Sequence, residues 1–140
     1  MSTKLNPYLG FRDNAKAAME FYHSVFGGDL TLSTFGEFHA SEDPAEQDKI
    51  MHGSVTVGEQ VLMGADIAPG RYEEPKGFSL SLQMKSTSDA ERIFLDLSRD
   101  GEIVMPIEKT FWAARFGVLV DRFGVRWLIN GEGSDEPADA

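Results

Sequence analysis

The two halves of this sequence carry the same order of segments, strand, helix, strand, strand, strand, and that repeat limits the fold more than any single motif does. In the first half, Leu5 to Phe11 reads as a strand ending at Arg12-Asp13-Asn14. Ala15, Ala18, Met19, Tyr22, Val25 and Phe26 then recur at helix spacing, with Asn14 as N-cap and Gly27-Gly28 as the stop. Leu30 to Phe35 alternates as a strand, and Ile50 to Val57 and Gln60 to Ala65 form a hairpin around Gly58-Glu59. In the second half, Phe78 to Met84 alternates. Ser88-Asp89-Ala90-Glu91 reads as a capping box that opens a helix with the apolar stripe Ala90, Ile93, Phe94 and Leu97, closed by Asp100-Gly101. Strand-like runs follow at Glu102 to Ile107, Ala113 to Val120 and Val125 to Asn130, the last two joined by Asp121-Arg122-Phe123-Gly124. Residue identity between the halves is weak, so the repeat lies in order and spacing. This order predicts an α+β domain with antiparallel hairpins rather than a βαβαβ Rossmann sheet. No G-x-G-x-x-G follows a strand, which leaves a dinucleotide or S-adenosylmethionine site of that type without support.

The length of 140 residues suits one domain, expected over 1–130 with modules at about 4–66 and 77–130. With no cysteine, disulfides, zinc ribbons, iron–sulfur clusters and thiol nucleophiles are excluded. The net charge of −10 is concentrated: five acids lie in Gly36–Asp48 and four in Gly131–Ala140, leaving 14 acids against 13 bases elsewhere. The first of these segments reads as a solvated loop and the second, 131–140, as a disordered acidic tail. Nothing in this balance attracts phosphates, so neither nucleic acid nor an anionic membrane is an expected partner. No apolar stretch approaches the roughly 20 residues of a membrane span, and MSTKLNPYLGF has neither the basic end nor the apolar core of a signal peptide. The expected compartment is the cytoplasm.

Few residues offer chemistry. His23 reads as a helix-end residue favoured by the helix dipole, and His39 as a solvated loop residue. His52 is more informative, because strand alternation puts it on one face with Ser54 and Thr56 while Met51, Val55 and Val57 take the other. A groove wall and a solvent-facing sheet surface both produce that pattern, and the spacing leaves the two open. No H-x-H or H-x-x-x-H pair supports a metal site, and no G-x-S-x-G elbow supports a serine nucleophile. The densest group is Thr110-Phe111-Trp112-Ala113-Ala114-Arg115-Phe116-Gly117. It is either a small-molecule wall with an Arg fork for a carboxylate or phosphonate, or an aromatic plug whose Arg115 pairs with an acid.

Several runs together resemble the vicinal oxygen chelate (glyoxalase/bleomycin-resistance/dioxygenase) superfamily, in particular its PhnB-like branch. They are Asn6-Pro7-Tyr8-Leu9, Ala18-Met19-Glu20-Phe21-Tyr22, Val25-Phe26-Gly27-Gly28, Ile50-Met51-His52, Val61-Leu62-Met63 and Gly77-Phe78-Ser79-Leu80. Thr110-Phe111-Trp112, Arg115-Phe116-Gly117 and Asp121-Arg122-Phe123-Gly124-Val125-Arg126-Trp127 complete the set, which spans residues 4–130. The resemblance implies two βαβββ modules whose mixed sheet curls around a cavity, with helices on the outer face and a homodimer completing it. It also places the divalent-ion ligands of metal-dependent members at Pro7, Met63, Phe78 and Leu128. None of these side chains suits a hard divalent ion, so no metal and no cofactor is expected. The leading expectation is a metal-free small-molecule binder with a pocket lined by Pro7, Met63, Phe78, Phe111, Trp112, Phe116 and Leu128, where His52 and Arg115 orient a polar group. Two alternatives stand beside it. One is an enzyme of lyase, isomerase or dioxygenase type using His52 as general base or a relocated metal site. The other is a drug-sequestering resistance protein with the Gly36–Lys49 loop as lid.

Overall fold

The computed structural model describes residues 3–133. The chain divides between Glu73 and Glu74 into two compact units, and each contains one βαβββ module, as the repeated order predicts. No described helix is long and apolar enough to cross a membrane.

The first module comprises β1 (Tyr8–Phe11), α1 (Ala15–Phe26), β2 (Asp29–Thr34), β3 (Ile50–Val57) and β4 (Gln60–Asp66). Its sheet runs β1-β4-β3-β2, with β1 parallel to β4 and the other pairs antiparallel. A parallel pair needs a long crossover, and the path through α1, β2 and β3 supplies it. The helix buries Ala15, Ala18, Met19, Tyr22 and Val25 on one sheet face, leaving Phe26 half-buried. Large side chains so buried each contribute about 1.5–3 kcal/mol. The helix lies close because Gly64 offers no side chain: a Cβ there would come within 2.8 Å of Phe11 and 3.2 Å of the Met19 sulfur.

Two local expectations change in this module. Asn14 occupies the N-cap position of α1 but makes no side-chain capping bond. The Asp66 carboxylate takes that role from the end of β4, accepting from the Ala15 N–H at 3.0 Å and the Ile50 N–H at 2.8 Å. The alternation along β3 also breaks. Ser33 faces His52 while Thr34 faces Ile50, so Met51 is the extra residue of a β-bulge. The bulge turns Ile50 into the core at 2% exposure and leaves Met51 half-buried.

The Gly36–Lys49 segment is exposed for the most part, as expected, yet it is ordered by its own bonds. A 3-10 turn spans Pro44–Glu46 and is capped by the Asp43 carboxylate, which accepts from the Ala45 N–H at 2.9 Å. Lys49 closes the loop with ion pairs to Asp13 at 2.7 Å and Glu46 at 2.9 Å.

The second module comprises β5 (Leu80–Met84), α2 (Thr87–Ser98), β6 (Glu102–Glu108), β7 (Arg115–Val120) and β8 (Arg126–Gly131). Its sheet order, β5-β8-β7-β6, repeats the first, with β5 parallel to β8. The predicted stripe Ala90, Ile93, Phe94 and Leu97 is the buried face of α2. The cap lies two residues earlier than the sequence box implied. Ser86, in extended backbone, accepts from the Asp89 N–H at 3.2 Å, which places Asp89 in the first turn where the helix dipole favours an acid. Asp121 organises the expected turn before β8: its carboxylate accepts from the Phe123 and Val125 N–H groups and from the Trp127 indole N–H, at 2.8–3.0 Å. The chain stays ordered past residue 130. Gly131 belongs to β8, and the Glu132 and Gly133 N–H groups donate to the Met84 and Lys85 carbonyls. This corrects the tail boundary at its first residues; 134–140 lie outside the described residues.

Replacing Asp66 with Ala leaves two backbone N–H groups beneath the sheet without an acceptor. Each such orphan costs about 1–3 kcal/mol, so urea unfolding of Asp66→Ala should show a loss of at least about 2 kcal/mol. Asp13 foremost, then Glu46, holds the Lys49 ammonium above its usual range. A raised lysine value means the contribution is complete below the unfolded ammonium value of about 10.4 and is lost only as pH climbs through the higher folded value. Proteolysis of the 36–48 loop should therefore proceed alike at pH 7 and 9.5, whereas Lys49→Met should be cut faster at both.

Candidate functional site

Each sheet has one face covered by its helix and one face free of it, and strand alternation decides which side chains reach the free face. In the first module, Leu9 and Phe11 are buried, so Tyr8 points the other way. The pairing register then aligns Tyr8, Met63, Ser54 and Thr31 in one cross-strand row, with His52 opposite Ser33 in the adjacent one. The Tyr8 hydroxyl lies 3.4 Å from His52 Nδ1, and the two rings stand 5.7 Å apart. That separation is long for a hydrogen bond to nitrogen, so the pair is a loose contact that an inserted group can tighten or replace. With the phenol as donor, Nδ1 accepts and Nε2 carries the imidazole proton. His52 and Met63 are half-buried, whereas Pro7 is exposed and enters only through its carbonyl, which accepts from the Met63 N–H at 3.0 Å.

In the second module, Phe116 pairs with Asn130 and Leu128 with Val118, all on the helix-free face. Trp112 stands edge-on to Phe111 and to Phe116, with ring centroids at 4.7 and 5.4 Å. Lys109, Thr110, Phe111, Trp112, Ala113, Ala114, Asn130 and Glu132 line an open hollow of about 380 Å³. Phe78 precedes β5 and is half-exposed.

Arg115 does not join this group. It neighbours Phe116 in β7, so its side chain leaves from the opposite face. Its strand partner Gly131 lies against Ala90 of α2. There the Arg115 Nε donates to Glu91 Oε2 at 3.4 Å and its Nη1 to the Ala114 carbonyl at 2.7 Å. The reading of Arg115 as a pocket anchor is thus replaced by the pairing with an acid, because period 2 forbids Arg115 and Phe116 a common face. His23 closes the end of α1, its Nε2 3.0 Å from the Gly28 carbonyl, as its helix-end position implied.

Tyr8 and Asn130 are the polar members that sequence reasoning missed. Tyr8 was readable, since it alternates with the apolar Leu9 and Phe11. Asn130 was not, since its place beside Phe116 depends on strand pairing.

The donor set does not fit a hard divalent ion. Pro7, Met63, Phe78 and Leu128 offer at most one thioether, and the hydrogen-bond partner of His52 is a phenol rather than a carboxylate. Among the described residues, no three His, Cys, Asp or Glu side chains gather. Nor do the helix starts fit a nucleotide-like cofactor: neither α1 nor α2 opens on a glycine-rich turn, and the Ala15 and Asp89 N–H groups are already bonded to Asp66 and Ser86.

The family described as 3-demethylubiquinone-9 3-methyltransferase matches over residues 3–130. Protein YjdN of Escherichia coli strain K12 is 34% identical over 137 residues, covering 90% of this chain and 93% of that protein. The crystal structure of protein PA1353 from Pseudomonas aeruginosa has a TM-score of 0.86 at 42% identity, covering 97% of this chain and all of the other. The PhnB protein from Bacillus cereus has a TM-score of 0.75 at 25% identity, covering 91% of this chain and 98% of that one.

The Arg115–Glu91 pair is half-exposed on both sides, and such pairs contribute about 0–1 kcal/mol. Glu91→Gln should therefore lower stability to urea by less than about 1 kcal/mol, a change that chemical denaturation can bound.

Proposed function

The chain belongs to the PhnB-like 3-demethylubiquinone-9 3-methyltransferase family, built on the vicinal oxygen chelate fold, and on that premise we propose that it is a metal-independent small-molecule-binding protein. Its ligand meets the helix-free face of the first sheet at the Tyr8–His52 pair. The observation that carries this reading is the pair itself: a half-buried imidazole and a phenol set on a face whose neighbours are Met63, Ser54 and Ser33. A few placed polar groups on one sheet face orient a small ligand without reacting with it. The 3.4 Å separation leaves both groups able to turn to a ligand oxygen or nitrogen.

The methyl transfer in the family's description needs a methyl donor, and the helix starts supply no site of the usual kind for one. A general-base role for His52 lacks the carboxylate that ordinarily orients such an imidazole. Binding without chemistry requires neither. A homodimer, which the superfamily resemblance implies, belongs to the same proposal, and sedimentation equilibrium reads it directly.

Two measurements test the proposal. The chain is incubated with manganese, nickel or zinc, dialysed, and its metal counted. Less than one retained equivalent per chain is expected, and one tight equivalent lost in His52→Ala overturns the reading. Second, small molecules released by denaturing the freshly purified protein are compared by mass spectrometry with those from His52→Ala and Tyr8→Phe. A species depleted about tenfold or more in both variants is expected, from the loss of one hydrogen bond to a half-buried group. Equal recovery from all three proteins moves the ligand away from this pair.

A further inference from the structure

The second module carries a recognition element that the Tyr8–His52 reading does not use. Phe111 is 96% exposed and Trp112 53% exposed, an unusual amount of aromatic surface to leave in water side by side. These rings are not on a loose loop. The Thr110 N–H donates to the Ala113 carbonyl at 3.0 Å, and the Ala113 N–H donates to Thr110 Oγ1 at 3.1 Å, so the turn that presents them is closed twice. Trp112 is further held edge-on between Phe111 and Phe116. The turn that carries the rings is therefore set before anything binds, which lowers the ordering cost of binding.

The polar lining narrows the choice of ligand. Lys109 and Glu132 bring opposite charges to the hollow, so neither a net anion nor a net cation is selected. Asn130 supplies a carboxamide that both donates and accepts, and it lies beside Phe116 in the strand register. We propose that Phe111, Trp112, Phe116 and Asn130 form a binding site for a planar, uncharged heteroaromatic ring with a hydrogen-bonding edge. The ring lies against the exposed aromatic faces, and the carboxamide reads the edge. All four residues belong to the second module, so the site stands or falls independently of the Tyr8–His52 pair.

The chain's two tryptophans make the test direct. Trp127 is 2% exposed and its indole N–H is bonded to Asp121, so its signal in a nitrogen-15 spectrum reports an intact fold. Titration with 2-quinolone, a bicyclic lactam, should shift the Trp112 indole signal saturably and leave that of Trp127 in place. δ-Valerolactam keeps the lactam edge without the fused arene and should bind about tenfold more weakly or worse, as loss of one stacking contact implies. Phe111→Ala, at a position too exposed to carry the fold, should weaken 2-quinolone by a similar factor. A Trp112 signal that stays fixed to the solubility limit, or that responds equally to both lactams, overturns the proposal. A shift with protein concentration alone also overturns it, because a second copy of the chain would then cover the rings.

Discussion

In each module one buried aspartate takes up backbone N–H groups that the sheet ladder and the helix leave over. Asp66 joins the start of α1, the start of β3 and the end of β4; Asp121 joins the turn after β7 to the indole of Trp127 in β8. A buried carboxylate is tolerated only when its oxygens are satisfied, and here each accepts at least two short bonds. The rest of the architecture depends on these junctions. They fix where α1, β3 and β8 begin, and so which residues of the neighbouring strands alternate inward. No buried side-chain nitrogen or oxygen among the described residues is left without a partner.

That alternation then allocates the chemistry. A helix covers one face of each four-stranded sheet, and central side chains on the covered face, such as Leu119, Trp127 and Ile129, are committed to packing. Arg115 illustrates the cost of the covered face: its guanidinium meets Glu91 and a carbonyl. One residue on, Phe116 reaches the free face and meets Trp112 edge-on. His52 reaches the free face of the first sheet because a bulge at Met51 lets Ile50 enter the core without carrying His52 in after it.

Much of the fold was legible in the chain. The helix stripes were readable because period 3.6 is a local property, and the Gly58-Glu59 hairpin because a two-residue turn restricts its residue types strongly. The misreadings share one origin. Asn14 has the side chain of a cap, but Asp66, distant in sequence, supplies the acceptor. Ser88 begins a plausible box, but Ser86 fits the helix start that packing against the sheet selects. Met51 sits in an alternating run, but the register with β2 makes it the bulge. In the candidate site, residue type and period single out His52 and the aromatic group, whereas nearness in sequence groups Arg115 with Phe116 and strand alternation puts the two on opposite faces.

By itself the sequence determined the two βαβββ modules, their apolar faces and the absence of hard-ion donors at Pro7, Phe78 and Leu128. These follow from local periodicity and from which side chains exist at all. Only the tertiary structure decided that Tyr8 meets His52, that Asn130 lies beside Phe116 and that Arg115 turns to Glu91. Those relations depend on strand pairing and on packing of the helix against the sheet, and no local pattern of residues encodes them.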